Sequence, residues 1–240
     1  MRTKFFYLFG KLVFALCIIG LVVTLSVSAT PGFASPVTWS DNFDSTSLNS
    51  QWSWIREAPT YWSLSSQPGF MRITTQQTFS DVNNLLVQDI PTGDYEIQTR
   101  VLFTPTEDYQ IAGLIAYQDD SNSLTLGRAF CTPSLICVGN GIYFDLFENG
   151  SLSDNFAMTT TVQGDAYLKL VRQGNTYTGF VSTDGLIWTL VGVHTLTITP
   201  TKVGLKASNQ INGVTEIPAD FDFFLLNDKP HDLFLPMIIR

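Results

Sequence analysis

The stretch 143–148, Tyr-Phe-Asp-Leu-Phe-Glu, comes closest in this sequence to an acid–base catalytic pattern. Retaining glycosidases place two carboxyl groups about 5–5.5 Å apart across the scissile bond. Those that present them from one strand usually follow Glu-x-Asp-x-x-Glu or Glu-x-Asp-x-Glu. Asp145 and Glu148 match the later positions, but Tyr143 stands where the nucleophile would be. We therefore expect no catalysis here; the alternative is a divergent glycoside hydrolase that uses Asp145 and Glu148 with an acid from elsewhere.

Nucleophilic catalysis has still less support in the sequence. The two histidines are His194 and His231, and His231 lies near the end of the chain. No Gly-x-Ser-x-Gly elbow is present to expose a serine nucleophile. His194 is expected to be an ordinary polar residue on or beside a strand.

The first 34 residues predict a secretion signal. A basic head, an apolar run over residues 12–27 and small residues near the end of the segment are typical of one; the residues are Arg2, Lys4 and Lys11, then Ser28, Ala29 and Ala34. Cleavage after Ala29 or Ala34 fits equally well. The alternative is an uncleaved anchor, because the run is only slightly short of the roughly 20 residues that span a bilayer. We expect a secreted protein, held at the cell surface if the anchor remains.

Composition excludes some partners. The chain has 21 Asp and Glu against 13 Lys and Arg, a net charge of −8. Nucleic acids and anionic membranes require clustered basic residues, so neither is an expected partner. Export favours a disulfide between Cys131 and Cys137, which Pro133 helps by allowing a bend between them. No second cysteine pair completes a zinc site.

Period-two alternation of apolar and polar residues predicts strands almost throughout the mature chain. It is clearest over residues 94–103, 201–208 and 219–226. The residues expected to face the core are Tyr95, Ile97, Thr99, Val101 and Phe103, then Val203, Leu205 and Ala207, then Phe221, Phe223 and Leu225. No convincing helical stripe appears, so the pattern indicates an all-β sandwich.

Turn dipeptides separate these strands. Asn149-Gly150 and Asp184-Gly185 tolerate the positive φ angles of tight hairpins, and Gly174-Asn175 has the same effect. No linker or internal repeat divides the chain. We expect one domain over residues 35–228, followed by a tail over residues 229–240 that is too short to span a membrane.

Four stretches and a closing run carry a resemblance to a known family. They are Asn84-Leu85-Leu86-Val87-Gln88, Tyr109-Gln110-x-Ala112-Gly113-Leu114, Tyr117-Gln118-Asp119-Asp120-x-Asn122, Ser182-Thr183-Asp184-Gly185-Leu186-Ile187-Trp188 and Ala219-Asp220-Phe221-Asp222-Phe223-Phe224. The chain from about Val37 to Leu226 resembles the concanavalin A-like jelly-roll domain at the C-terminus of family 43 glycoside hydrolases such as β-xylosidases.

The resemblance implies a two-sheet antiparallel sandwich with a concave face, and it carries no activity with it. In that family the catalytic acids belong to a five-bladed propeller, and this sequence encodes none. Jelly rolls of this type often hold one structural calcium ion where the first and last strands meet. Asp44 and Asp222 are the best candidate ligands for it, with backbone carbonyls and water; the alternative is that they form a solvated face.

Sugars are held by aromatic faces that stack on C–H patches and by planar polar groups that bond to hydroxyls. Such groups are densest in the middle of the chain, and the candidate binding residues are Tyr109, Gln110, Tyr117, Gln118, Asp120, Asn122 and Arg128. A second group lies in the first third of the chain and consists of Trp52, Trp54, Arg56, Glu57, Tyr61 and Trp62. We therefore expect a secreted, lectin-like module for plant or microbial polysaccharide such as xylan. The non-glycan alternative is a structural or adhesive protein that binds another protein at the cell surface.

Overall fold

A computed structural model of the chain describes residues 37–77, 82–159, 164–209 and 214–228. Fifteen strands and one short 3-10 helix, Pro59–Tyr61, make up this part of the protein. The strands are β1 Val37–Asp41, β2 Ser53–Ile55, β3 Trp62–Ser63, β4 Met71–Thr74, β5 Leu85–Asp89, β6 Tyr95–Leu102, β7 Gln110–Asp119, β8 Asn122–Cys131, β9 Gly139–Glu148, β10 Ser151–Thr159, β11 Asp165–Gln173, β12 Thr176–Ser182, β13 Thr189–Thr195, β14 Lys202–Asn209 and β15 Pro218–Asn227. The predicted signal segment 1–34 and the tail 229–240 lie outside the described residues.

The strands form two antiparallel sheets, as expected for a sandwich. Sheet 1 runs in the order β13-β12-β11-β6-β15-β4-β3, and β1 also pairs with β15. Sheet 2 runs in the order β10-β9-β8-β7-β14-β5-β2. Strands far apart in sequence are therefore neighbours, as β14 between β5 and β7 illustrates.

The core lies between the sheets and follows the predicted alternation. Every residue expected to face inward on β6 and β14 is buried. At one end, Trp52 packs edge-on against Trp39 and Phe224, with ring centroids 4.9 and 5.1 Å apart. Because side chains alternate, the other face of each strand is turned away from this core.

The expected pattern on β15 is wrong after Phe221. The pairing of β15 with β6 shifts between Phe221 and Phe223, which is an irregularity of the β-bulge type. The shift reverses the alternation, so Phe224 and Leu226 enter the core. Phe223 instead lies on the outer face of sheet 1, where its ring is 6.3 Å from that of Tyr167.

The predicted turns connect the expected strands, but Asp184-Gly185 lies in a six-residue connection over residues 183–188 and does not form a tight hairpin turn. Asn149 and Gly150 both have positive φ, at 53° and 76°, which suits a tight hairpin between β9 and β10. Gly174 and Gly185 also have positive φ, at 59° and 72°. Within the described ranges, no helix is long and apolar enough to cross a membrane.

Candidate functional site

A groove of about 740 Å³ lies on the face of sheet 2 that is turned away from the core; we call it the sheet 2 groove. It is built by alternation, because the residues between the core-facing ones on β7, β8, β9 and β14 point into it. The residues that line the groove include charged, aromatic and aliphatic side chains: Arg56, Asp108, Tyr109, Ile111, Ile115, Tyr117, Asp120, Tyr143, Asp145, Phe147 and Lys206.

Two small apolar clusters form much of the groove floor. Leu85, Val87 and Ile115 pack together near β5 and β7. Ile111, Ala129 and Tyr143 form the other cluster, beside the disulfide. The floor therefore offers apolar surface in two patches, and the polar groups described next lie among them.

Lys206 and Asp145 supply charge inside the groove. Burial raises the pKa of the Asp145 carboxyl to about 7, against the opposing effect of the Lys206 charge. Burial also lowers the pKa of Lys206 to about 8, against the effect of Asp145. The Lys206 side chain is buried, with 5% of the residue exposed. Perturbed titratable groups in a concave site are a recognised mark of function.

The rim of the groove is polar and pre-ordered. The Arg56 guanidinium makes a bidentate ion pair with Asp120, with N–O distances of 2.7 and 2.9 Å. The Tyr117 hydroxyl donates to the same carboxylate at 2.8 Å. Arg56 also donates to the Val82 carbonyl, so its own position is fixed. Tyr109, 44% exposed, lies on the same groove and leaves an aromatic surface open to solvent.

The segment 131–137, which we call the disulfide loop, borders the groove. Cys131 and Cys137 are bonded, with Cα atoms 5.4 Å apart, so the predicted pairing is confirmed. Ser134 N donates to the Cys137 carbonyl at 3.0 Å inside this loop. The loop holds Ile136 exposed at the groove margin.

Comparison with known proteins identifies the domain. Residues 40–227 match the family described as the beta xylosidase C-terminal concanavalin A-like domain. The chain belongs to this family. The match covers nearly all of the described sandwich and confirms the resemblance inferred from the motifs. Among curated protein sequences, none matches this chain.

Solved structures show the same fold at low identity. The chain is similar to Bacteroides ovatus Xyloglucan PUL GH43B, with 22% identity and a TM-score of 0.69 over 81% of this chain and 39% of that one. It is also similar to xylan beta-1,4-xylosidase from Bacillus Halodurans C-125, with 22% identity and a TM-score of 0.66 over 78% of this chain and 38% of that one. A functionally unknown protein from Saccharomyces cerevisiae is similar with 19% identity and a TM-score of 0.59, over 75% of this chain and 98% of its own. The chain thus spans about two-fifths of the Bacteroides ovatus and Bacillus Halodurans proteins.

In this concanavalin A-like domain, three of the seven candidate sugar-binding residues lie at the sheet 2 groove. Tyr109, Tyr117 and Asp120 all line it. Asp120 is engaged by Arg56 and Tyr117, so its remaining hydrogen-bonding capacity faces the groove from a fixed position. Arg56, from the second group of candidates, lies there too.

The other four candidates hold loops or strands together. The Gln110 amide oxygen accepts from the backbone N–H groups of Thr106 and Glu107, and its nitrogen donates to the Thr215 carbonyl. Arg128 is fully buried and donates from Nε to the Phe103 carbonyl at 2.7 Å.

Gln118 and Asn122 have similar roles near the β7–β8 turn. The Gln118 amide oxygen accepts from Thr199 N at 2.6 Å. The Asn122 amide donates to both oxygens of Asp119 and accepts from Asn149 N. Sugar binding by any of the seven stays a prediction, and the geometry favours the three at the groove.

The two predicted calcium ligands have different surroundings. Asp222 accepts from Arg100 at 3.1 Å, while Asp44 is exposed. No group of three or more His, Cys, Asp or Glu side chains in the described part of the chain could hold a metal ion. Calcium binding by Asp44 and Asp222 stays a prediction.

The acid pattern on β9 divides between two surroundings. Tyr143 and Asp145 line the groove. Glu148 instead accepts hydrogen bonds from Ser153, at 2.6 Å, and from Thr197, which lower its pKa. The nearest opposite charge that acts on Asp145 in the groove is therefore the Lys206 ammonium, and Glu148 does not line the groove.

Sequence reasoning missed Lys206 and Thr125 as site residues. The alternation of apolar and polar residues puts Lys206 on the outer face of β14. That alternation is the same whether the outer face is exposed to solvent or lines a groove. Thr125 lies on β8 opposite Asp145 on β9 and is almost fully buried. Neither position carries a motif that could have revealed it.

Proposed function

We propose that the sheet 2 groove binds a polysaccharide and that the domain does not cleave it. The observation that carries the proposal is the groove itself. Its volume of about 740 Å³ lies within the roughly 300–1,000 Å³ of typical ligand sites. It combines apolar patches, aromatic side chains at Tyr109 and Tyr117, and a small number of fixed polar groups, which is the surface that sugars require.

The absence of cleavage follows from the carboxyl groups. Hydrolysis by retaining or inverting glycosidases needs two carboxyls that face each other across the sugar. Among the described residues, Asp145 is the carboxyl in the floor, and its charged neighbour there is Lys206. At the rim, Asp120 is held by Arg56, and Asp108 accepts from the Thr132 hydroxyl at 3.0 Å. This arrangement supports binding over catalysis.

Xylan-like polysaccharides are the ligand class we favour. The chain belongs to a family named for β-xylosidases, and two similar structures carry xyloglucan or xylan in their names. These names describe those proteins, and at about 22% identity the likeness shows the fold alone. Plant cell-wall polysaccharide is therefore a hypothesis about ligand class to be tested first.

We also propose that the protein acts outside the cytoplasm. The disulfide between Cys131 and Cys137 is consistent with an oxidising compartment. The basic and apolar N-terminal pattern supports the same location. Mass spectrometry of protein recovered from the culture medium would show whether export occurs and whether the chain begins after Ala29 or Ala34.

The binding proposal is tested with the full-length protein and a panel of arabinoxylan, xyloglucan and starch. Saturable binding is expected, and Tyr109→Ala should weaken it roughly 3- to 10-fold, the equivalent of about 0.5–1.5 kcal/mol for one stacking contact. Leu186→Ala is the matched control, because Leu186 is 81% exposed and follows β12 in the other sheet.

New reducing ends in the same tubes would contradict the claim that the domain does not cleave its ligand. Absence of binding to the whole panel would contradict the glycan proposal. It would favour a protein partner, for which the exposed apolar residues Leu186 and Ile187, 81% and 76% accessible, offer surface.

A further inference from the structure

Strand register places three polar side chains near one another on the outer face of sheet 2; Lys206 and Asp145 line the groove, and Thr125 is buried beside Asp145. Asp145 on β9 pairs with Thr125 on β8, and Thr125 pairs with Ile115 on β7. One step along the sheet, Lys206 on β14 pairs with Gly113 on β7, and Gly113 pairs with Gly127 on β8. The backbones of Lys206 and Asp145 are therefore three strand spacings and two residues apart, about 16 Å.

Glycine keeps the space between them free of side chains. A Cβ atom at Gly113 would lie 2.2 Å from the Leu126 carbonyl oxygen, and one at Gly127 would lie 2.9 Å from the Ala112 oxygen. The strands approach so closely here that only glycine fits. Lys206 and Asp145 thus face each other across an uncovered strip of floor, and each affects the pKa of the other.

The side chains of Lys206, Asp145 and Thr125 form no hydrogen bond or ion pair with one another in the described part of the protein. Among the ion pairs within 4.0 Å of the described residues, none joins Lys206 to Asp145. The Thr125 hydroxyl is buried, with the residue 1% exposed, and has no hydrogen-bond partner in the described part of the protein. A buried polar group without a partner costs about 1–3 kcal/mol, so each of these groups favours a ligand that pairs with it.

We propose that Lys206, Asp145 and Thr125 form a subsite that binds the hydroxyl groups of a neutral sugar; this rests on the proposed function of the groove. A hydroxyl is both donor and acceptor, so a pair of them can accept from the Lys206 ammonium and donate to the Asp145 carboxylate. The Thr125 hydroxyl can take either role.

Charge excludes the other sugar classes. A uronic acid that met Lys206 with its carboxylate would bring a like charge toward Asp145, and an amino sugar that met Asp145 with its ammonium would bring one toward Lys206. Like charges in a desolvated site are costly, so both classes should bind less tightly than a neutral chain.

The other charged groups around the groove are already paired. Arg56 and Asp120 hold each other at the rim, and Asp89 pairs with Lys202 at 2.7 Å on the neighbouring strands. On β9 the Tyr143 hydroxyl donates to the Gly139 carbonyl, and burial raises its pKa. On β7, burial and Asp120 raise the pKa of Tyr117. The Lys206–Asp145 pair therefore dominates titration of the floor near neutral pH.

This pair gives the subsite a pH signature. The sugar requires ionised Asp145 and protonated Lys206, and the fraction in that form is largest between the two pKa values of about 7 and about 8. Apparent affinity scales with the competent fraction. Binding should therefore be on the order of 50-fold weaker at about pH 5 than at about pH 7.5, and should weaken again above about pH 9.

The test is calorimetric titration of the full-length protein with uronic-acid-free arabinoxylan, polygalacturonate and chitosan oligomers. We expect the neutral polymer to bind most tightly, with the bell-shaped pH profile. Lys206→Met should weaken it at least about tenfold, and Thr125→Val about 3- to 10-fold, since charged hydrogen bonds contribute more than neutral ones. Lys202→Met, on the same strand but half-exposed, is the matched control and should leave binding unchanged.

If the neutral polymer binds and neither Lys206→Met nor Thr125→Val weakens that binding, the subsite is overturned and the groove proposal remains intact. Preference for polygalacturonate or chitosan, or a flat pH profile, would do the same. Failure of all three polymers to bind would overturn the proposed function and the subsite together.

Discussion

Replacing the Lys206–Asp145 pair with uncharged residues of similar shape should stabilise the fold while abolishing its ligand site. The perturbation is the double substitution Asp145→Asn and Lys206→Met. Asp145 has its pKa raised from 3.8 to about 7, and Lys206 has its pKa lowered from 10.5 to about 8. Since one pKa unit corresponds to about 1.4 kcal/mol, each group separately costs about 3–4 kcal/mol in its charged form.

The two charges partly offset each other, so the costs do not add. Replacement of buried charges by uncharged residues of similar volume commonly gains about 1–4 kcal/mol, and we expect a gain in that range here. The pH dependence of this stability gain follows from the directions of the two pKa shifts. Asp145 costs stability increasingly as pH rises from 3.8 to about 7, and the cost of Lys206 fades as pH rises from about 8 to 10.5. The gain should therefore be largest between about pH 7 and 8.

Urea unfolding of wild type and variant across this pH range measures the gain directly. The matched control is Asp89→Asn with Lys202→Met, an ion pair between β5 and β14 whose side chains are 85% and 33% exposed. An exposed pair contributes little, so the control should change stability by less than about 1 kcal/mol. A double variant less stable than wild type near neutral pH, or a control that gains as much, would refute the reasoning.

Three further predictions concern the stability of the fold. Gly113→Ala should destabilise the fold by about 3 kcal/mol in urea unfolding, because the new Cβ would meet the Leu126 carbonyl; an unchanged midpoint would contradict the close strand approach. Reducing the disulfide loop should cost about 2 kcal/mol, measured as the same midpoint with and without reductant. Calcium at Asp44 and Asp222 would raise Tm on addition of calcium and lower it with chelator, and equal Tm values would remove that site.

The fold could be predicted because burial on one face leaves a direct trace in sequence. On β6, five alternating residues from Tyr95 to Phe103 are apolar or Thr, and all are buried. The pattern on β15 failed because a bulge inserts one residue without changing composition. Phe221 and Phe223 are two apart, yet the pairing shift between them places the second ring outside the core.

The site could be predicted only in part, because planar polar residues look alike whether they bind a ligand or a backbone. Gln110 and Arg128 have the donors that sugars need, but distant backbone carbonyls at Thr215 and Phe103 accept from them. Alternation places Lys206 on the outer face of β14, but its burial depends on side chains of other strands that line the same groove. Those are long-range properties, which one strand's sequence does not record.

The most direct test of the central claim is hydrogen–deuterium exchange of the full-length protein with and without arabinoxylan. The groove account predicts protection on adding the polysaccharide in β7, β8 and β9, centred on Gln110–Asp119 and Gly139–Glu148, with β12 and β13 unchanged. Protection confined to β12 and β13, beside exposed Leu186 and Ile187, or no protection at saturating arabinoxylan, would contradict it.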